Sequence, residues 1–139
     1  IGVNTSAACA PGFEPDEGVV SKARELAAAS GASVHITSEV EEACVDAHTV
    51  YTDVWVSMGQ ENEANRRKKA LAPYRVTGEV FRNADPEAVF MHCLPAHRGE
   101  EVESDIIDGA RSVVFQQAGN RLHALKILLE ILVGDNNGA

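Results

Sequence analysis

A chain of 139 residues, 45% apolar and 24% charged, has the size and balance of a globular domain with a core of its own. Its formal net charge of −9 excludes nucleic acid and anionic membrane as expected partners, because both require clustered basic residues. No apolar run approaches the roughly 20 residues that cross a bilayer, and three cysteines without CxxC spacing fit free thiols in a reducing, cytoplasmic setting.

In chain order, residues 3–10 read as a buried strand closed by Pro11-Gly12, and Asp16 or Glu17 opens a helix that Gly31 stops. Residues 33–36 form a short strand, after which Ser38 caps a helix with Glu41 or Glu42 reaching back. The next strand covers 50–55. The polar stretch 57–67 is long enough to be a mobile functional loop, and the basic cluster Arg66-Arg67-Lys68-Lys69 reads as a solvated face. Helical pieces follow at 68–71 and 77–83. The apolar run Ala88-Val89-Phe90-Met91 is a strand that ends at Cys93. A helix near 104–108, a strand over 112–115 and a long final helix complete the order. That helix carries Leu122, Leu125, Leu128, Leu129 and Leu132 on one stripe. Residues 1–134 are therefore expected to form one α/β domain, a mainly parallel sheet flanked by helices, and 135–139 a disordered tail. Cys9 and Cys44, among alanines and valines, are packing thiols.

Two segments carry chemistry. The first is Met91-His92-Cys93-Leu94-Pro95-Ala96-His97-Arg98-Gly99. Here Pro95 ends the strand and biases Leu94 toward an extended backbone, at a strand's C-terminal end, where open α/β sheets hold ligands. The second is Thr52-Asp53-Val54-Trp55-Val56-Ser57-Met58-Gly59-Gln60-Glu61. Asp53 suits the ammonium of a zwitterionic ligand, and a Ser hydroxyl with backbone N–H groups suits its carboxylate. Taken alone, Asp53 is an ordinary cap and Cys93 an ordinary packing thiol. His92, Cys93 and His97 invite a zinc reading, but structural zinc wants four ligands in two close pairs, so no metal is expected. Arg121, in Asn120-Arg121-Leu122-His123, is read at the start of the final helix, where anions are favoured. No glycine-rich phosphate loop and no Gly-x-Gly-x-x-Gly are present, which argues against a dinucleotide binder.

Together the two motifs resemble the ornithine carbamoyltransferases of the aspartate/ornithine carbamoyltransferase family. Aspartate-specific relatives have Pro where Cys93 stands, and putrescine-specific ones are not expected to keep Ser-Met-Gly. The resemblance implies a Rossmann-like C-terminal domain that binds L-ornithine, in an enzyme of arginine biosynthesis that makes citrulline and phosphate without a cofactor. Asp53, Ser57 and Met58 would grip the amino-acid end. Cys93 and the Leu94 carbonyl would lie beside the reacting δ-amine, and Arg121 would meet the carbamoyl oxygen. Cys93 and Arg121 are thus the expected catalytic pair, although Gly119 replaces the family's Glu near that arginine. The family's further first strand, with its Asp-Asn-Asn turn and helix, is not seen, nor is its Ser-Thr-Arg-Thr-Arg loop for carbamoyl phosphate. The chain is therefore expected to be a part, inactive alone, of an enzyme that is usually a trimer. It should have about four strands and two unpaired strand edges, which pair across the gap or self-associate. The alternative is a non-catalytic amino-acid-binding or interaction module derived from the same family.

Overall fold

The computed structural model describes residues 2–56, 59 and 61–134, with Glu61 described by its backbone alone. Its strands are β1 (Thr5–Ala8), β2 (Val34–Thr37), β3 (Thr49–Thr52) and β4 (Val89–His92). Its helices are α1 (Glu17–Ala29), α2 (Val40–Cys44), α3 (Ala64–Leu71), α4 (Gly78–Phe81), α5 (Ser104–Ile107) and α6 (Val114–Gly134), with 3-10 turns at Glu61–Glu63 and Ala72–Tyr74. No helix among the described residues is long and apolar enough to cross a membrane.

Local chemistry sets both ends of α1. The Asp16 carboxylate accepts the Val19 N–H at 3.1 Å and opens α1, and Gly31 takes a φ of +73° just beyond its end, the conformation glycine adopts without steric cost. The expected Ser38 capping box is not formed. Glu39 holds the cap position, and Glu42 instead accepts the Thr37 hydroxyl at 2.6 Å. Helix α3 starts inside the stretch read as loop and includes the basic cluster. That cluster is not simply solvated: Arg67 stacks over the Phe13 ring at 5.4 Å and Lys68 pairs with Glu100.

The strands form two parallel pairs rather than one sheet, β1 with β2 and β3 with β4. They are also shorter than the apolar runs implied, at four residues each. The strand expected over 112–115 is reduced to a single bridge. The Phe90 N–H donates to the Arg111 carbonyl at 2.9 Å and the Val113 N–H to the Phe90 carbonyl at 3.0 Å. The Gln117 N–H then bonds the Val113 carbonyl at 2.9 Å, so the backbone turns helical before a second rung forms.

The core sits on the β3–β4 side, where Val50, Val76, Val80, Phe81, Phe90, Val102, Ile107 and Val114 pack together. Phe81 meets Phe90 edge to face at a centroid distance of 6.5 Å. Helix α1 contributes no buried residue. The leucine stripe of α6 is exposed along its length.

Strands β1 and β3 lie side by side with a gap between them. Asn4 and Thr5 face His48 and Thr49 across one end of it, whereas Cys9 and Ala10 face Thr52 and Trp55 across the other. The two strands therefore run in the same direction. No ladder joins them among the described residues, so of the two expected repairs, pairing across the gap or association with another copy, the first is not formed there.

Candidate functional site

Parallel pairing of β3 and β4 aligns Thr52 with His92. The next residue on each strand, Asp53 and Cys93, is thereby carried to the same rim. The Cys93 thiol donates to Asp53 Oδ1 across 2.9 Å, and the same oxygen accepts the Val54 N–H at 2.7 Å. Burial pushes the thiol pKa up, as do the hydrogen bond to Asp53 and that carboxylate's charge, while a hydrogen bond with Tyr51 works the other way. A raised pKa keeps Cys93 a neutral donor at physiological pH, the opposite of an activated nucleophile. Tyr51, two residues before Asp53, is likewise raised, first by burial.

Sequence reasoning missed Gln117. Its Oε1 accepts the His92 N–H at 3.0 Å and its Nε2 donates to the Tyr51 hydroxyl at 3.4 Å. One amide thus ties the first turn of α6 to the ends of both central strands. The signal was hidden because the helix was read as starting later.

The turn after β4 is held from beneath. The Leu94 N–H donates to Nδ1 of His92 at 2.9 Å, and Leu94 takes a φ of +55° with a cis peptide bond to Pro95. The expected extended Leu94 is thus corrected to a left-handed one, because its N–H is captured by the side chain two residues back. His92 and Glu101 are fully buried, and Glu101 accepts the His97 N–H. Arg98 braces the outside of the turn with a two-pronged contact to Asp108 at 2.8 and 2.6 Å. That pairing lowers the Asp108 pKa and raises that of Arg98.

His92, Cys93 and His97 do not converge as metal ligands: His92 lies beneath the turn, Cys93 on Asp53, and His97 is exposed. His97, Glu100 and Glu101 do have ligating atoms within 4.8 Å of one another, but Lys68 already compensates Glu100.

Of the other expected residues, Ser57 and Met58 lie outside the described residues. Arg121 is not at a helix start. It lies seven residues into α6, one turn beyond Gln117 on the same helical face. It is exposed, and, lying in the helix interior, it gains nothing from the anion preference of a helix N-terminus. At Gly119 an added Cβ would meet nothing within 4 Å, so there is open space where the family's glutamate would start.

Residues 1–132 match the family model described as Aspartate/ornithine carbamoyltransferase, Asp/Orn binding domain. The ornithine carbamoyltransferase of Anoxybacillus flavithermus is 51% identical over 133 residues, 96% of this chain and 42% of that protein. That of Thermococcus kodakarensis is 48% identical over 134 residues, again 96% and 42%. Among solved structures, ornithine carbamoyltransferase from Pyrococcus furiosus superimposes with a TM-score of 0.86 at 48% identity, covering 92% of this chain and 41% of that one. The anabolic enzyme from Campylobacter jejuni gives 0.89 at 36% identity, covering 98% and 44%. The fold is the Rossmann-like α/β arrangement of these neighbours. The chain spans about 42% of the length of the curated relatives it matches.

Proposed function

This chain belongs to the aspartate/ornithine carbamoyltransferase family, and we propose that it supplies the ornithine-binding side of an ornithine carbamoyltransferase. The observation that carries the reading is the 2.9 Å contact between Cys93 and Asp53 at adjacent ends of two parallel strands. It joins the two motifs, forty positions apart, in one site.

In this reading Asp53 meets the α-ammonium of L-ornithine, and Ser57 and Met58 hold its carboxylate. Cys93 and the Leu94 carbonyl orient the δ-amine, and Arg121 meets the carbamoyl oxygen. The amine nitrogen attacks the carbamoyl carbon, the bond from that carbon to the phosphate oxygen breaks, and the amine proton leaves with the phosphate. Citrulline and phosphate result. Such a transfer needs a neutral amine, alignment and a stabilised oxyanion rather than a covalent enzyme intermediate. A protonated thiol at Cys93 fits that requirement. Carbamoyl phosphate would be held by the other half of a complete, trimeric enzyme, whose place is arginine biosynthesis in the cytoplasm.

The test is citrulline formation by a complete protein that carries this domain, with ornithine, aspartate and putrescine compared as acceptors. Ornithine should be preferred, and a preference for aspartate or putrescine would overturn the assignment.

A further inference from the structure

The strand expected over 112–115 stops after one bridge, and a side chain completes what the backbone leaves open. The Phe90 N–H and carbonyl are both taken on that edge, by Arg111 and Val113. The next N–H of β4 to point the same way is that of His92, because N–H groups alternate between the two sides of a strand. By then the backbone has turned into α6, and Gln117 in its first turn supplies the acceptor: Oε1 takes the His92 N–H at 3.0 Å. A backbone N–H can only donate, so this bond fixes which end of the amide faces which neighbour. The other end, Nε2, can only donate, and it meets the Tyr51 hydroxyl at 3.4 Å.

The Tyr51 oxygen therefore accepts from Gln117, and its own hydrogen is left to be given onward. Side chains alternate along a strand, so Tyr51 and Asp53 share one face of the sheet. The pairing of Tyr51 with Met91 puts Cys93 on that face too. The Tyr51 hydroxyl is hydrogen-bonded to the Cys93 thiol, and its effect is that of a donor to sulfur, since it favours the thiolate. Cys93 in turn donates to Asp53 Oδ1 at 2.9 Å. Every bond runs one way, from an amide through two hydroxyl-type groups to a carboxylate, which when ionised can only accept. Bonds with a common sense polarise and strengthen one another.

We propose that Gln117 is a positioning residue for the Cys93 thiol and acts through Tyr51, by fixing the direction in which hydrogen bonds run from the start of α6 to Asp53. A thiol has one hydrogen and a rotor that can aim it at several acceptors. With Tyr51 donating to sulfur, the hydrogen is committed to Asp53, and sulfur is held where the proposed reaction needs it, beside the δ-amine. None of the ornithine contacts in that reaction involves Gln117 or Tyr51. The consequence for turnover rests on the proposed carbamoyl transfer, whereas the sense of the hydrogen bonds is a property of the chain itself.

The experiment uses the 139-residue chain and follows iodoacetamide modification of Cys93 against pH by peptide-level mass spectrometry. Asp53 and Tyr51 are the titratable groups that bear on the thiol. Tyr51→Phe removes only the hydroxyl of a ring that is 53% exposed, so the fold should be kept. The thiolate loses a donor, and modification at a fixed alkaline pH should slow by about fivefold, the scale of one neutral hydrogen bond. Gln117→Glu keeps the shape and still accepts the His92 N–H, but its second oxygen accepts from Tyr51 and draws that hydroxyl off sulfur. It should slow modification as well. A direct effect of the added charge would act with or without the hydroxyl, so the double variant separates the two. Adding Gln117→Glu to Tyr51→Phe should slow modification far less than adding it to the wild-type chain. An unchanged profile in Tyr51→Phe overturns the proposal, and so does a Gln117→Glu effect of equal size in both backgrounds. A purely structural role for Gln117 gives no change in Gln117→Glu, because the His92 bond survives, and that result also overturns it. In a complete enzyme carrying this domain, Tyr51→Phe should lower kcat for citrulline formation several-fold with little change in KM for ornithine, and an unchanged kcat overturns the positioning role. A wild-type enzyme that makes no citrulline defeats the functional reading and leaves the modification result standing.

Discussion

The Cys93 thiol and the Asp53 carboxylate share a hydrogen bond of 2.9 Å, with sulfur as donor. The thiol pKa lies above its ordinary value, first through burial and then through Asp53. The sign follows directly: a raised pKa means less thiolate at any pH below it, so alkylation is slowed. Iodoacetamide should modify Cys93 slowly at neutral pH, and its rate should climb only above the usual thiol range. Asp53→Asn removes the charge but not the burial, so it should speed the reaction partially. Peptide-level mass spectrometry separates Cys93 from Cys9 and Cys44. Rapid labelling of wild-type Cys93 at neutral pH would contradict the geometry.

In a complete enzyme carrying this domain, Asp53→Asn should weaken ornithine binding about tenfold or more, since a charge-assisted contact contributes roughly 1.5–3 kcal/mol. Calorimetry checks this. An unchanged affinity would remove Asp53 from the site.

Cys93→Ser in the same enzyme should lower turnover without abolishing it, because the proposed transfer has no covalent step. Detection of a carbamoyl-cysteine adduct would refute that mechanism. The purified 139-residue chain should release no citrulline above background, since it carries a net charge of −9 and no recognisable phosphate loop to hold a doubly charged anion.

Backbone amides along the gap should be poorly protected. In β1 the Thr5 and Cys9 N–H groups bond β2, so by the alternation of a parallel ladder those of Ser6 and Ala8 face the gap. In β3 the His48 carbonyl accepts from Val89, and the same alternation turns Thr49 and Tyr51 toward it. Hydrogen exchange should be much faster at these four than at Ala7 and Val50. If all six are equally protected in dilute monomer, the gap is closed in solution. Protection that rises with concentration would identify pairing between copies.

The two kinds of apolar residue should differ sharply in what they contribute. Phe90 is wholly buried, whereas Leu129 of α6 is 59% exposed. Phe90→Ala should cost about 3–5 kcal/mol of stability, and Leu129→Gln should stay within roughly 0.5 kcal/mol. Urea unfolding of both variants decides the point, and equal losses would mean that α6 packs against something in the isolated chain.

The sequence by itself was enough for the α/β class, the start and stop of α1, the family resemblance and the placement of Asp53 and Cys93 directly after strands. These rest on local signals: Asp16 as a cap, Gly31 as a stop, and reactive residues written directly after apolar runs. Tertiary structure alone decided that Thr52 pairs with His92, and so that two residues forty positions apart share a hydrogen bond. It also moved the start of α6 back to Val114, brought Gln117 to the site, turned Leu94 left-handed and buried Glu101 beneath it. Each of these depends on a partner that local sequence does not reveal. Strand register is fixed by non-local hydrogen bonds, and a buried carboxylate is tolerated only where distant or folded-back groups are assembled around it.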